Sequence, residues 1–311
     1  MMALDLKPDK PDHPFLKLGY RQPDERKRSL QLHLLHETIS PSSLPSSRVA
    51  GMVKTFEELD FCSTPLGELV LRRRKIPMLE NEVVYEIILN GEFLMSSLFH
   101  AVEDALADLG LAAAPAGPMD VVVGGLGLGY TAVAALRHQN VRSLFIVDFL
   151  EPVIRWHQTG LVPLGSRVSS DPRTRFIEGD FFALASHPET GFDATEPGRK
   201  FYAILLDIDH TPKHWLNERH ASFYTLEGLK SLCLHLVPGG VFAMWSDEPP
   251  DSGFCSTLEG VFRRVRAHTV SFPNPIRGGE SSGTVYVAVC QKEPKKSGLQ
   301  ISLPLLCQGE P

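Results

Sequence analysis

The stretch Ala-Ile-Leu-Leu-Asp-Ile-Asp-His, residues 203–210, sets two carboxylates and an imidazole directly after an apolar run. Such a run reads as a buried strand, so Asp207 and Asp209 fall at its carboxyl edge, where open α/β sheets bind their ligands. If the strand continues that far, alternation puts both acids on one side. Paired acids there can hold a cationic amine, and one of them can take its proton. A free alkylamine has a pKa of about 10, so losing that proton is the obstacle to its acting as a nucleophile at neutral pH. His210, the next residue after Asp209, can assist as a second base. Farther along, Trp-Ser-Asp-Glu-Pro-Pro-Asp, residues 245–251, brings more acids to the same edge. Glu248 is a candidate substrate contact there, against the plainer reading of a solvated acidic loop.

A second pattern lies upstream, in Val-Val-Val-Gly-Gly-Leu-Gly-Leu-Gly-Tyr-Thr-Ala, residues 121–132. Gly125, Gly127 and Gly129 permit a tight turn between strand and helix whose amides can face a ligand. The run also fits a dinucleotide fingerprint through Gly127, Gly129 and Ala132, with Asp148 about twenty residues on. No Gly-Lys-Ser/Thr follows, so a Walker-type triphosphate loop is excluded. Asp148 ends the second strand of this unit, where an acid can accept both ribose hydroxyls of a bound nucleoside. Asp180, in Ile-Glu-Gly-Asp-Phe-Phe, ends the third. It can accept from an adenine amino group, or it can cap the next helix.

The elements that must carry these residues alternate. Strand-like runs at Met-Asp-Val-Val-Val-Gly, Ser-Leu-Phe-Ile-Val-Asp, Thr-Arg-Phe-Ile-Glu, Phe-Tyr-Ala-Ile-Leu-Leu and Gly-Gly-Val-Phe-Ala-Met-Trp-Ser are separated by helical segments. That pattern means a Rossmann-like doubly wound α/β sheet. Ala-His-Thr-Val-Ser-Phe and Thr-Val-Tyr-Val-Ala-Val leave no room for a helix between them, so the last strand is expected to be antiparallel. This ending is the habit of S-adenosylmethionine-dependent methyltransferases and unusual for dinucleotide dehydrogenases. Upstream, residues 55–97 read as a small β region with an Asn90-Gly91 hairpin turn. A helix follows, with Leu98, Val102, Leu106 and Leu109 on one face. The basic run Arg72 to Lys75 reads as a solvated strand end, and Trp215 and Trp245 read as core.

Domain organisation is expected as a disordered extension over 1–50, the β region over 55–97, a nucleoside-binding catalytic domain over 98–292 and a flexible tail over 293–311. The 311 residues are 43% hydrophobic and 22% charged, with a formal charge of -6. This balance offers no general attraction for nucleic acid. The 5 cysteines are scattered and form no C-x-x-C pair, so reduced thiols are expected, without a metal site or a disulfide framework. No apolar run is long enough for a membrane helix and no signal-peptide core is present, which makes a cytoplasmic protein the expectation.

Together these segments resemble the spermidine synthase family of polyamine aminopropyltransferases, which has the methyltransferase-type Rossmann-like fold. Leu-Asn-Gly-Glu-Phe-Leu-Met-Ser-Ser resembles the family's hairpin, and Val-Asp-Phe-Leu-Glu-Pro-Val-Ile its ribose-binding segment. Asp-Pro-Arg-Thr-Arg-Phe-Ile-Glu-Gly-Asp-Phe-Phe resembles its adenine segment, and Leu-Leu-Asp-Ile-Asp-His-Thr-Pro its catalytic loop. The resemblance spans about residues 57–291. It implies aminopropyl transfer from decarboxylated S-adenosylmethionine to a small-molecule amine or other nucleophilic acceptor. Asp148 would hold the ribose, Asp180 the adenine, Asp207 would be the base, and Asp209 or His210 a second amine contact. The family's turn carries an acid where this chain has Gly127, its helix a Tyr-Gln or Tyr-His pair near Ala101 and Val102, and its hairpin a Gln at Leu94. Methyl transfer from S-adenosylmethionine to a small molecule is the alternative, and a non-catalytic nucleoside-binding scaffold a further one. Members of the family commonly form dimers or tetramers, so a homo-oligomer is also implied.

Overall fold

The three valines before the glycine turn lie on an interior strand of a seven-stranded sheet. The computed structural model describes residues 55–291, all within the unit Val53–Pro311. The expected extension over 1–50 and tail over 293–311 lie outside the described residues.

A four-stranded antiparallel meander comes first: β1 (Phe56–Thr64), β2 (Gly67–Ile76), β3 (Glu82–Leu89) and β4 (Glu92–Ser96). Asn90 and Gly91 join β3 to β4 with φ of 53° and 77°, the left-handed pair that a two-residue hairpin turn of matching twist requires. The basic run is not a solvated end. Arg72 and Arg74 sit mid-strand on β2 and reach across to β3, where Glu86 accepts from both guanidinium groups at 2.7 and 2.8 Å while only 1% exposed. Two alternate arginines share a face in a strand, so one opposing acid can serve both.

The larger sheet is built from β5 (Met119–Gly124), β6 (Val141–Asp148), β7 (Thr174–Glu178), β8 (Phe201–Leu206), β9 (Leu236–Ser246), β10 (Arg264–Pro273) and β11 (Glu280–Val289). Their order is β10-β11-β9-β8-β5-β6-β7. Strands β5 to β9 run parallel, and β11 is antiparallel to both β9 and β10, as the missing crossover demanded. Every residue of β5 is buried, as a strand covered on both faces must be.

Alternation then divides the core in two. Val121, Val123, Ala203 and Leu205 face one cluster, shared with α1 (Ala101–Ala113), α2 (Tyr130–Arg137), α3 (Glu151–Gln158) and α4 (Gly165–Ser169). Val122, Ile204 and Leu206 face the other, under α5 (Phe181–Ser186), α6 (Leu226–Cys233) and α7 (Ser252–Glu259). Chain order reverses at β5, whose neighbours are β6 and β8, so the sheet opens a crevice beyond the carboxyl ends of these three strands.

Two local readings are corrected. Cys233, at the end of α6, and Cys290, just past β11, are joined as a disulfide; 57 residues separate them, and no local spacing announces the pair. Cys62 and Cys255 are free thiols. On α1 the buried residues are Val102, Glu103, Leu106, Ala107, Gly110 and Leu111, a stripe that turns inward an acid the apolar pattern leaves outside.

Replacing Glu86 with Ala strands two arginines against a buried strand face. Because both are partly exposed, the expected loss is about 2–3 kcal/mol in urea unfolding, short of the cost of a fully buried pair. A loss below about 0.5 kcal/mol would show that Glu86 does not anchor the meander.

Candidate active site

The glycine turn leaves β5 at Gly124 and enters α2 at Tyr130. Gly125 and Gly129 have φ of +92° and +91°, and each has a neighbour that forbids a side chain. A Cβ on Gly125 would overlap the carbonyl oxygen of Asp207, and one on Gly129 would sit 2.6 Å from His157 Cε1. The turn is therefore pressed between the end of β8 on one side and α3 on the other. His157 is fully buried, and its Nε2 lies 3.0 Å from the Gly127 carbonyl oxygen. Burial lowers its pKa to about 4, so at neutral pH it is an uncharged donor that props the turn from behind. Above Gly127 lies Met95 of β4, whose sulfur accepts from the Leu128 amide at 3.1 Å. A thioether thus covers the turn at Gly127.

Asp148, the last residue of β6, accepts from the Leu126 amide at 2.9 Å and the Leu150 amide at 2.8 Å. These bonds fix the carboxylate between the glycine turn and the start of α3. A carboxylate has about four acceptor positions, so these amides leave room for a further donor. Burial raises its pKa, against the pull of the amides of Leu150, Leu126 and Gly127.

Asp207 follows β8 immediately, tied in by its amide donating to the Gly124 carbonyl at 2.8 Å. Thr131, buried in the first turn of α2, donates its hydroxyl to Asp207 Oδ2 at 2.7 Å. Burial raises Asp207 to about 6. Glu103, on the inner stripe of α1, is 8% exposed. Burial, with the charge of Asp207 second, raises it to about 8.

Asp148, Asp207 and Glu103 all line one hollow, together with Gly125, Gly127 and His210. Its walls are otherwise apolar, from Leu94 and Met95 of the meander to Trp245 of β9, and none of its lining residues is Lys or Arg. The empty space amounts to about 890 Å³ with the open mouth included, the scale of a small-molecule site.

Asp209, Asp180 and Glu248 are not among the lining residues, whereas His210 is. The strand stops at Leu206, so the alternation that would have paired Asp207 with Asp209 does not operate. Asp209 turns into the protein, where it accepts from the Leu216 amide at 2.7 Å and the Tyr224 hydroxyl at 2.8 Å and contacts His220 Nδ1 at 2.9 Å. It organises the loop after β8. Asp180 is exposed, and its Oδ1 caps α5 through the Phe182 and Ala183 amides. Glu248 is exposed beside His214, at 3.5 Å, and is not among the lining residues. His210 has Asp247 Oδ2 3.7 Å from its Nδ1. Among the described residues no cluster of His, Cys, Asp and Glu is arranged to hold a metal, and no helix is long and apolar enough to cross a membrane.

No family model matches the chain. A polyamine aminopropyltransferase of Sulfolobus acidocaldarius is 27% identical over 228 residues, covering 70% of this chain and 66% of that protein. One from Prochlorococcus marinus is 30% identical over 159 residues, covering 51% and 47%. Polyamine aminopropyltransferase 2 of Pseudomonas aeruginosa is 27% identical, covering 50% and 43%. Among solved structures, spermidine synthase from Thermotoga maritima superposes with a TM-score of 0.56 at 17% identity, covering 75% of this chain and 72% of that one. A spermidine synthase in complex with the transition-state analogue AdoDATO gives 0.57 at 16%, covering 75% and 73%. The chain is thus similar, at a distance, to polyamine aminopropyltransferases, and its fold is that of spermidine synthase. Its matches span about half to two thirds of the length of these curated relatives. The solved structures, at their low identity, establish the fold: the sheet order and antiparallel last strand of the methyltransferase-like type.

Glu103 gives this site a pH signature. Its folded pKa, about 8, lies above the ordinary 4.5, so the folded state binds the extra proton and loses stability as pH rises between those values. Glu103→Gln should melt within about 1 °C of the parent at pH 4.5 and about 4 °C or more above it past pH 8, in differential scanning calorimetry. A difference independent of pH would contradict the buried carboxyl.

Proposed function

We propose that the chain transfers an aminopropyl group from decarboxylated S-adenosylmethionine to an amine acceptor. One observation carries this choice over methyl transfer: the hollow is lined by three carboxyls and by no Lys or Arg. The parent sulfonium compound brings an amino-acid carboxylate, which such a lining repels. The decarboxylated compound brings only positive charge, which it attracts. The names of the relatives support an amine as acceptor.

Under this assignment Asp148 accepts the ribose hydroxyls with the positions its two amide partners leave open. The Gly125–Gly129 turn lets the nucleoside lie close against the backbone. Asp180, at the end of β7, has Oδ2 to offer to the adenine amino group along the sheet edge. The amine lone pair attacks the propyl carbon bonded to sulfur. The carbon–nitrogen bond forms as the carbon–sulfur bond breaks, and its electrons neutralise the sulfonium, so methylthioadenosine leaves. The nitrogen sheds its surplus proton to Asp207, whose pKa of about 6 keeps it ionised yet basic near neutrality. Thr131 orients that carboxylate and leaves Oδ1 toward the substrate. Asp209, His210 and Glu248 remain proposed amine contacts. Of the three, His210 is best placed, since it lines the hollow.

The test is methylthioadenosine release from decarboxylated S-adenosylmethionine across a panel of primary amines. Asp207→Asn should lower kcat about 100-fold or more and leave methylthioadenosine affinity within about threefold, and parent turnover should rise with pH through about 6. Equal losses of turnover and affinity would remove the base role. Turnover with S-adenosylmethionine in place of its decarboxylated form would establish methyl transfer instead. Asp148→Ala should weaken methylthioadenosine binding about 10-fold or more, and unchanged affinity would overturn the ribose contact.

A further inference from the structure

Glu103 has no assigned task, yet it occupies an expensive position. It lies on the core-facing stripe of α1, between Val102 and Leu106, where every other buried residue is apolar or glycine. Its side chain has no ion-pair or side-chain hydrogen-bond partner among the described residues, although its neighbour Asp104 engages both Arg137 and His100. A buried carboxyl normally gains a cation or a set of donors. Here the hollow it lines contains no cationic side chain that could serve, and His210 is drawn to Asp247. A cation to pair with the ionised form would therefore come with the ligand.

The neighbouring acids are already committed. Asp148 is held by two amides of the turn and start of α3, and Asp207 by the Thr131 hydroxyl. The turn itself supplies no acid at Gly127, where Met95 packs. Glu103 is the one carboxyl in the hollow with neither a side-chain nor a backbone donor from another residue holding it in place. We infer that Glu103 is the ammonium-binding residue of the hollow: it pairs with the terminal primary ammonium of the aminopropyl donor and leaves Asp207 for the proton of the attacking amine. This inference rests on the aminopropyl-donor reading and names the residue that recognises the donated group.

The proton balance follows. Before the donor arrives, burial and the charge of Asp207 keep Glu103 in its neutral acid form near pH 7. When the ammonium enters as a cation, Glu103 ionises to pair with it, and its proton passes to solvent. Donor binding then releases up to one proton. Methylthioadenosine carries no aminopropyl group and gives Glu103 no cation, so its binding releases none.

Calorimetric titration at pH 7, in two buffers of different ionisation enthalpy, reads this count directly. With the intact chain, decarboxylated S-adenosylmethionine should release between about 0.5 and 1 proton and methylthioadenosine about none. Glu103→Gln should bind methylthioadenosine within about twofold of the parent, which also shows that it is folded. It should bind the decarboxylated donor at least about 10-fold more weakly and release no proton. Glu103→Asp should recover part of both. Should Glu103→Gln keep the parent's donor affinity and proton count, the inference is overturned while the nucleoside site stands. It is overturned equally if only the KM of the acceptor amine rises. Failure of the intact chain to bind either nucleoside would overturn the donor reading and this inference with it.

Discussion

The close approach of the Gly125 backbone to the Asp207 carbonyl is the constraint on which the site depends. Parallel pairing of β5 with β8 brings these two chain segments to the same height, and the Asp207 amide bonds the Gly124 carbonyl just before the strands part. With no Cβ at residue 125, the turn can bend across the end of β8. That single allowance puts the amides facing Asp148 beside the carboxylate of Asp207. Any larger residue would drive the Asp148 side and the Asp207 side of the hollow apart.

Electrostatics builds on that geometry. Three carboxyls at the edge of an apolar hollow resist ionisation: burial raises Asp207, and burial with the charge of Asp207 second raises Glu103. The cost to folding is a store of affinity for positive charge, withheld until a cation enters. Neutral His157 behind the turn adds no opposing charge, and Thr131 steadies one oxygen of Asp207 without neutralising it. The hollow thus favours a ligand that carries positive charge.

Much of this is legible in the residues. Strands buried on both faces read as continuous apolar runs, and acids at their carboxyl ends point to the crevice, so Gly125, Asp148 and Asp207 stand out directly. Asp209 does not separate from Asp207 in the same way, because where a strand stops depends on pairing with its neighbours. Its carboxylate goes to His220 and Tyr224, residues more than ten positions away. Glu103 escapes for the opposite reason: an acid in an amphipathic helix is usually solvated. The signal is its spacing to Leu106, Ala107 and Gly110, which marks a core face. Arg72, Arg74 and Glu86 need the strand register, and Cys233 with Cys290 need the packing of α6 against the sheet; local spacing carries neither. His157 looks like any helix histidine until α3 places it under the turn.

The most direct test of the account is a crystal structure of the chain with methylthioadenosine bound. The ribose hydroxyls should lie within about 2.6–3.0 Å of the Asp148 carboxylate, with the sulfur over the Gly125–Gly127 backbone and directed toward Asp207. A nucleoside bound away from residues 125–129, or a ribose that leaves Asp148 untouched, would contradict it.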